Sequence, residues 1–249
     1  MSFRAEVKTL VYKFNAFCCR DDGPKIVYYH DVTGMNAVTS MSTPFDLFQR
    51  QIDVARNNGY DFVAAPPERR LQLMVCFDDG FRGVWDRREF FVKERIYPTI
   101  SVAIDLVGRP GYLTWAEIAE LRAMGFRFSS HTWSHRSLTE VPDSELMHEL
   151  RDAREELSMR TAGVIDGLCF PRGKFSRRVL DAAIRAGFTI GYASVPGRAI
   201  DPLDECGQEL RVLPRMLVQD AALGRFTDIL HGAMLPFRGY YLRRHFDND

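Results

Sequence analysis

Leu71-Gln72-Leu73-Met74-Val75-Cys76-Phe77-Asp78-Asp79-Gly80 runs from an apolar stretch straight into two carboxylates and a glycine. A short apolar run bounded by turn signals suits a strand buried on both faces, and Leu71–Phe77 reads as one. Adjacent aspartates along a pleat point to opposite faces. At a strand's last residue, however, the backbone turns, so both can reach one cavity with different tasks. Like charges this close resist joint ionisation unless a cation lies nearby. Alone, Asp-Asp-Gly is also a common turn, so its surroundings must decide.

Outward from this segment, short apolar runs alternate with helical patterns, which argues for an α/β layout with parallel strands. Upstream, Ile26–Tyr29 reads as a strand after Gly23-Pro24, and Phe45–Asn58 as a helix stopped at Gly59. Downstream, Val84–Arg95 reads as a helix and Thr99–Ala103 as a strand. Thr114 with Glu117 makes a capping box for a helix ending near Gly125. Phe126–Ser129 is then a strand, Pro142–Arg160 a long charged helix and Leu168–Phe170 a strand. Arg177–Ala186 is a helix, Phe188–Tyr192 a strand, Val212–Leu213 the start of a last strand, and Ala222–His231 a C-terminal helix. His30-Asp31, Asp78-Asp79, His131 with His135, Pro171-Arg172 and Arg215 all fall just after strands. If the strands are parallel, these residues share one rim, the end where barrel-type α/β folds build their sites.

His131-Thr132-Trp133-Ser134-His135 carries two imidazoles four apart. They can converge on one ion, whether the segment is a helical turn or a tight loop. With a carboxylate from another strand end they supply two nitrogens and one oxygen. That set leaves positions open for water and substrate, as a catalytic zinc requires.

These residues resemble the polysaccharide deacetylases of the NodB-homology class, carbohydrate esterase family 4. They are most similar to the branch acting on poly-N-acetylglucosamine, in which one catalytic motif has moved to the N-terminus. Val75–Phe81 resembles the first family motif, Ser130–His135 the second, Phe170-Pro171-Arg172-Gly173 the third, and Leu213-Pro214-Arg215-Met216 the arginine motif. Val27-Tyr28-Tyr29-His30-Asp31-Val32 is similar to the N-terminal histidine motif of the permuted branch. The resemblance implies a distorted (β/α) barrel of the NodB type and an N-deacetylase acting on an N-acetylated sugar or glycan precursor. Asp79, His131 and His135 would hold one divalent metal, most often zinc. Asp78 would be the general base toward the attacking water and His30 the general acid for the departing amine. The Arg172 backbone N–H would help stabilise the oxyanion, and Arg215 would orient Asp78. Pro171, Trp133 and Tyr29 are the candidates to contact the sugar, with core packing the alternative for the two aromatics.

The departures carry information too. Arg172 replaces the aromatic residue common in the family, which implies a more polar, anion-tolerant substrate wall. The arginine that often precedes the third motif and a clear Asp–Trp fourth motif are missing. Ile229-Leu230-His231 is only a loose candidate for the C-terminal leucine–histidine motif, so His30 ranks above His231 as the acid. Two other readings stay open: a hydrolase of a small cyclic amide or imide on the same fold, and a non-catalytic carbohydrate-binding relative.

At 249 residues the chain suits a single catalytic domain over residues 23–249, with residues 1–22 as a helical extension. Its 33 basic and 33 acidic residues balance to zero, which disfavours a nucleic-acid partner. Arg4, Glu6, Lys8 and Lys13 interrupt the apolar core that a secretory signal needs. The five cysteines (Cys18, Cys19, Cys76, Cys169, Cys206) show no metal-ligand spacing. A cytoplasmic protein acting in O-antigen or capsule biosynthesis is therefore expected. Apolar residues at helical spacing through the first 20 positions suit a helix packed on the domain or on a partner chain. A helix lying on the inner membrane surface is the sharper alternative. His148 and the stretch Glu145–Glu156 read as the wet face of a helix, His245 as part of a frayed tail, and Asp31 as either a supporting partner or a turn former. Cys76 and Cys169 read as small buried hydrophobes.

Overall fold

Strands β1 (Lys25–Tyr29), β2 (Gln72–Phe77), β3 (Thr99–Val102), β4 (Arg127–Ser130), β5 (Gly167–Cys169) and β6 (Ile190–Ala193) pair side by side in parallel, in sequence order. The computed structural model that shows this describes residues 3–18, 20–33, 39–203, 205–206 and 209–247, so Cys19 lies outside the described residues. One extended run then joins the two ends of the sheet. Its first part, β7 (Leu210–Pro214), pairs with β6, and its second, β8 (Met216–Leu217), pairs with β1, both in parallel. The sheet thereby becomes a nearly closed barrel, as expected of the NodB type. Arg215 is the hinge residue between the two parts, and its backbone N–H donates to the carbonyls of Ala193 and Val195.

Pleat alternation sorts the strand residues into two layers. Ile26, Tyr28, Met74, Cys76, Cys169, Tyr192 and Leu213 form the cluster inside the barrel. Val27, Tyr29, Leu73, Val75 and Phe77 face outward, under the helices. Those helices include α1 (Phe3–Cys18), α2 (Phe45–Asn57), α3 (Trp115–Ala123), α4 (Ala153–Thr161), α5 (Arg177–Arg185), α6 (Leu223–Leu230) and α7 (Arg238–His245). Phe48 of α2 seals one such contact, edge-on to Tyr29 at 5.1 Å. Burying each such side chain contributes about 1.5–3 kcal/mol.

Local signals explain most boundaries. The Thr114–Glu117 capping box closes reciprocally, and Gly187 follows α5 with φ of +85°, a conformation that suits glycine. Two expected helices are interrupted. Val84–Arg95 breaks at Arg87 into Gly83–Asp86 and Arg88–Lys93. Pro142–Arg160 contains a π turn at His148–Asp152 between Asp143–Met147 and α4. The extended run over residues 210–217 starts at Leu210, two residues before the beginning expected at Val212–Leu213, and it serves two neighbours.

The C-terminal tail corrects an expectation. Residues 238–245 form α7, and Phe246–Asp247 pair in parallel with Phe175–Ser176. Phe246 packs edge-on against Phe175 at 5.4 Å, and Lys174 Nζ meets Asp247 Oδ1 at 2.9 Å. His245 is thus held in place rather than frayed, because a two-residue ladder and one aromatic anchor suffice to dock the end of the chain. Among the described residues, no helix is long and apolar enough to cross a membrane.

Candidate active site

Asp78 continues the inward-facing parity of Met74 and Cys76, so its carboxylate enters the barrel mouth. There Arg215 meets it as a two-pronged fork: Nη1 donates to Oδ1 at 2.8 Å and Nη2 to Oδ2 at 2.9 Å. Both side chains are almost wholly buried. Burial would raise the Asp78 carboxyl, but the guanidinium overrides it and holds the group below the ordinary carboxylate range. Arg215 is itself clamped. Its Nη2 also donates to Cys169 Sγ at 3.0 Å, and its guanidinium lies 4.4 Å from the Tyr28 ring and 5.6 Å from the Tyr192 ring.

Asp79 takes φ of +71°, which turns its carboxylate onto the rim. Its Oδ1 lies 3.2 Å from His131 Nε2 and 3.0 Å from His135 Nε2. One oxygen and two imidazole nitrogens therefore converge within 4.8 Å. His131 Nδ1 donates to the Cys169 carbonyl at 2.8 Å, which fixes the tautomer and leaves Nε2 free to act as a ligand. This donor set fits a divalent cation.

The loop that carries the two histidines is held by strain and by an acceptor. Thr132 and His135 both adopt positive φ, as do Asp79 and Arg172. Such conformations persist only where the surroundings over-determine them. Here the constraint is Glu149, which accepts from the backbone N–H of Trp133 (3.1 Å) and Ser134 (2.9 Å) and from the Ser134 hydroxyl. Glu149 is buried, so the charged stretch Glu145–Glu156 is not wholly a wet face. The π turn and the spacing from Leu146 (i+3) and to Ala153 (i+4) place Glu149 on the buried side. That spacing was the missed signal.

His30 follows β1 at the same rim, and its Nδ1 donates to Gln219 Oε1 at 2.6 Å. Nε2 is thus the nitrogen available to a substrate. The Thr43 hydroxyl anchors the Gln219 carbonyl at 2.9 Å. His231 stands elsewhere. Its Nε2 pairs with Asn58 Oδ1 at 3.0 Å, beside the segment that enters β1 and outside the cleft lining. Asp31 is buried and accepts from Ser42 Oγ at 2.7 Å, also outside the lining.

One cleft of about 590 Å³ is bordered by His30, Asp78, Asp79, His131, His135, Arg172 and Arg215 together. The three sugar-contact candidates are not among its walls. Tyr29 points outward by the pleat and donates to Gln51 Oε1 at 2.7 Å in the core. Its neighbour Tyr28, of opposite parity, lines the cleft instead, and burial pushes its hydroxyl up to about 12. Trp133 packs on His148, with ring centroids 4.5 Å apart, because the tight loop aims its side chain at the π turn. Pro171 is buried and shapes the turn that presents Arg172. Cys169 is not merely a hydrophobe, since it braces both His131 and Arg215.

The sequence profile of the family described as Polysaccharide deacetylase matches residues 66–191, just over half of the chain. The protein YxkH of Bacillus subtilis (strain 168), named for the same family, is 24% identical over 186 residues, covering 70% of this chain and 65% of its own length. This chain therefore spans a little under two thirds of that relative. Among solved structures, a polysaccharide deacetylase from Bacillus cereus superposes with a TM-score of 0.72 at 18% identity, covering 84% of this chain and 69% of that one. IcaB from Ammonifex degensii gives 0.70 at 20% identity, with 86% and 99% covered. The Streptococcus pyogenes deacetylase PplD, solved with acetate, gives 0.70 at 20%, with 82% and 96% covered. These likenesses show a shared fold.

Proposed function

This chain belongs to the polysaccharide deacetylase family, and on that premise we propose that it is a metal-dependent N-deacetylase hydrolysing the acetamide of an N-acetylated sugar. The observation that carries the reading is the meeting, in one cleft, of the Asp79–His131–His135 donor set with an Asp78 carboxylate kept ionised by Arg215. One divalent cation on those three ligands, zinc by its preference for such donors, would polarise the acetamide carbonyl and make a neighbouring water more acidic.

The chain's own groups supply the rest. Asp78, ionised across neutral pH, accepts the proton of the attacking water. Arg215 holds that carboxylate in one orientation and keeps it a base. Arg172 lines the cleft, and its backbone N–H would stabilise the charge that gathers on the acetamide oxygen. His30, steered by Gln219 through Nδ1, delivers a proton from Nε2 to the departing amine.

The proposal extends to biology. The substrate is a precursor of a surface polysaccharide, an O-antigen or capsule, made on the cytoplasmic side. Helix α1 rests there on the membrane surface through its exposed Leu10, Phe14 and Phe17 beside the exposed Lys13. Fractionation with the periplasm would rule out that setting.

The test of the chemistry is paired. Elemental analysis of the native protein and of His135→Ala, prepared identically, should give about one cation per chain in the first and none in the second. The loaded protein should release acetate from N-acetylated sugars. No metal after reconstitution, or no acetate from a broad panel, overturns the reading.

A further inference from the structure

Part of the cleft lining, apart from the metal ligands and the Asp78–Arg215 pair, is basic. Arg225 comes from α6, Arg244 and His245 from the end of α7, and Arg172 from the turn after β5, and all four line the same cavity. No carboxylate or hydrogen-bond acceptor meets the side chains of Arg172, Arg225 or Arg244 among the described residues. Arg215, in the same cleft, already has its two Nη atoms engaged by Asp78, although its Nε has no acceptor. The acidic residue left on this rim is the exposed Asp220.

One donor in this wall, Arg225 Nε, is shut off from solvent without an acceptor. His245 Nδ1 sits against the Arg172–Gly173 backbone. Buried donors in native proteins nearly always find partners, so an orphan beside a cleft suggests that an acceptor arrives from outside. Two of its members are held by ring contacts, while Arg172 and Arg244 are exposed at the cleft. The Arg225 guanidinium lies 5.3 Å from the Tyr12 ring of α1, and Tyr241 stacks on His245 at 16° between ring planes. Gly173, at φ of +69°, lets that contact form, since a Cβ there would come within 2.8 Å of His245 Nδ1.

Resting on the deacetylase reading above, we propose that this wall is a phosphate subsite, so that the N-acetylated sugar is recognised as its phosphate or diphosphate ester. A carboxylate offers one planar edge and one charge, which a single arginine satisfies. Three guanidiniums around one opening, with the His245 imidazole beside them, match the higher charge and the three-dimensional spread of oxygens on a phosphate. The cavity, about 590 Å³, is large enough for a sugar ring at the metal ligands with a phosphate at the basic wall. The ester's other arm can be a nucleoside or a lipid. Next to Arg225, α1 exposes Leu10, Phe14 and Phe17, a surface on which a lipid chain could lie.

The experiment compares kcat/KM for acetate release from four probes: the neutral methyl glycoside of N-acetylglucosamine, its 1-phosphate, its uridine diphosphate ester and its short-chain polyprenyl diphosphate ester. The phosphorylated probes should exceed the neutral one by on the order of tenfold or more. In Arg225→Gln and in Arg244→Gln that ratio should fall by about tenfold, mainly through KM, as expected for losing a charged hydrogen bond. Preference between the nucleotide and polyprenyl esters identifies the source of the phosphate.

Equal kcat/KM for neutral and phosphorylated probes, or a ratio untouched by either variant, overturns the subsite and leaves the deacetylase reading standing. A uronate-bearing probe that outcompetes the phosphates overturns it as well. If no probe releases acetate, the deacetylase reading fails instead. Calorimetric binding of inorganic pyrophosphate to the wild type, weakened about tenfold in Arg225→Gln, then still decides the subsite, and equal binding refutes it.

Discussion

Removing Arg215 tests whether its pairing with Asp78 holds the barrel mouth together. In Arg215→Met the stem remains, but two hydrogen bonds of 2.8 and 2.9 Å to Asp78 and one of 3.0 Å to Cys169 disappear. What is left is a carboxylate only 4% exposed, inside a cluster that holds Tyr28, Cys76 and Tyr192. Breaking a buried pair and stranding one charge costs about 3–5 kcal/mol. For a domain of this size that corresponds to a fall in Tm of about 12 °C. Removing both charges strands neither, so Asp78→Asn combined with Arg215→Met should recover at least about half of the loss.

The sign of the pH dependence follows from the same geometry. In the native protein Asp78 titrates below its ordinary value, so its contribution is present above the unfolded-state pKa of about 3.9 and is lost as pH falls through the lower folded value. Without Arg215, burial is opposed only by the weaker pull of His131 and His30 and should push the folded-state pKa above the unfolded one. The penalty then stands at neutral pH and is relieved on acidification. Urea denaturation of metal-free wild type, single and double variants at pH 7 and pH 5 reads all of this. A single variant that loses less than about 1 kcal/mol, or a gap from wild type that widens at pH 5, refutes the reasoning.

Three further outcomes follow from the site. Glu149→Gln loosens the loop carrying His131 and His135, so zinc affinity measured by chelator competition should fall about tenfold; an unchanged affinity would show that the loop holds itself. His30→Ala should lower kcat by roughly 100-fold or more, whereas His231→Ala, changing a group paired with Asn58 outside the cleft, should leave kcat intact. The reverse pattern would transfer the acid's role to His231. Tyr29→Phe should cost about 1 kcal/mol for its lost bond to Gln51 without altering KM, and a KM change beyond about twofold would return Tyr29 to the substrate wall.

Much of the site was legible because strand ends are marked in sequence. An apolar run ending in Asp78-Asp79-Gly80 fixes both the strand and the rim. Parallel strands then bring every post-strand polar residue to that rim, whatever the details of the helices between them. That logic places the two histidines, the two aspartates and Arg215 on one rim, while their separate roles came from the family resemblance. The pairing of Arg215 with Asp78 was not legible that way: the residue pattern placed Arg215 only after a strand, and its role toward Asp78 came from the family resemblance. What failed was parity. Tyr28 and Tyr29 sit in a strand buried on both faces, where the apolar pattern does not say which side is the barrel interior. The rule that separates them is geometric: Tyr28 shares the inward parity of Ile26, and Tyr29 the outward parity of Val27.

The basic wall was illegible for a different reason. Arg225, Arg244 and His245 lie in the last 25 residues of the chain, near no strand end that could have aligned them, and a terminal Arg-Arg-His reads by default as a solvated tail. Their convergence depends on α6 and α7 folding back over the barrel mouth and on the two-residue ladder at Phe246–Asp247, too short to leave a pattern in the sequence. Arg172 alone gave a hint, as a charge where the family resemblance leads one to expect an aromatic ring. The metal ligands and the base come from strand ends that build the barrel, so their positions are tied to the fold. Arg225, Arg244 and His245 instead come from helices outside the barrel strands, so those positions can be rebuilt without moving the strand ends. Substrate choice should therefore reside in α6, α7 and the turn at Arg172. Exchanging those segments between family members should move the preference for the substituent on the sugar while the metal site and the Asp78–Arg215 pair stay as they are. If preference instead follows β2 and the His131–His135 loop in such chimeras, this division of labour is wrong.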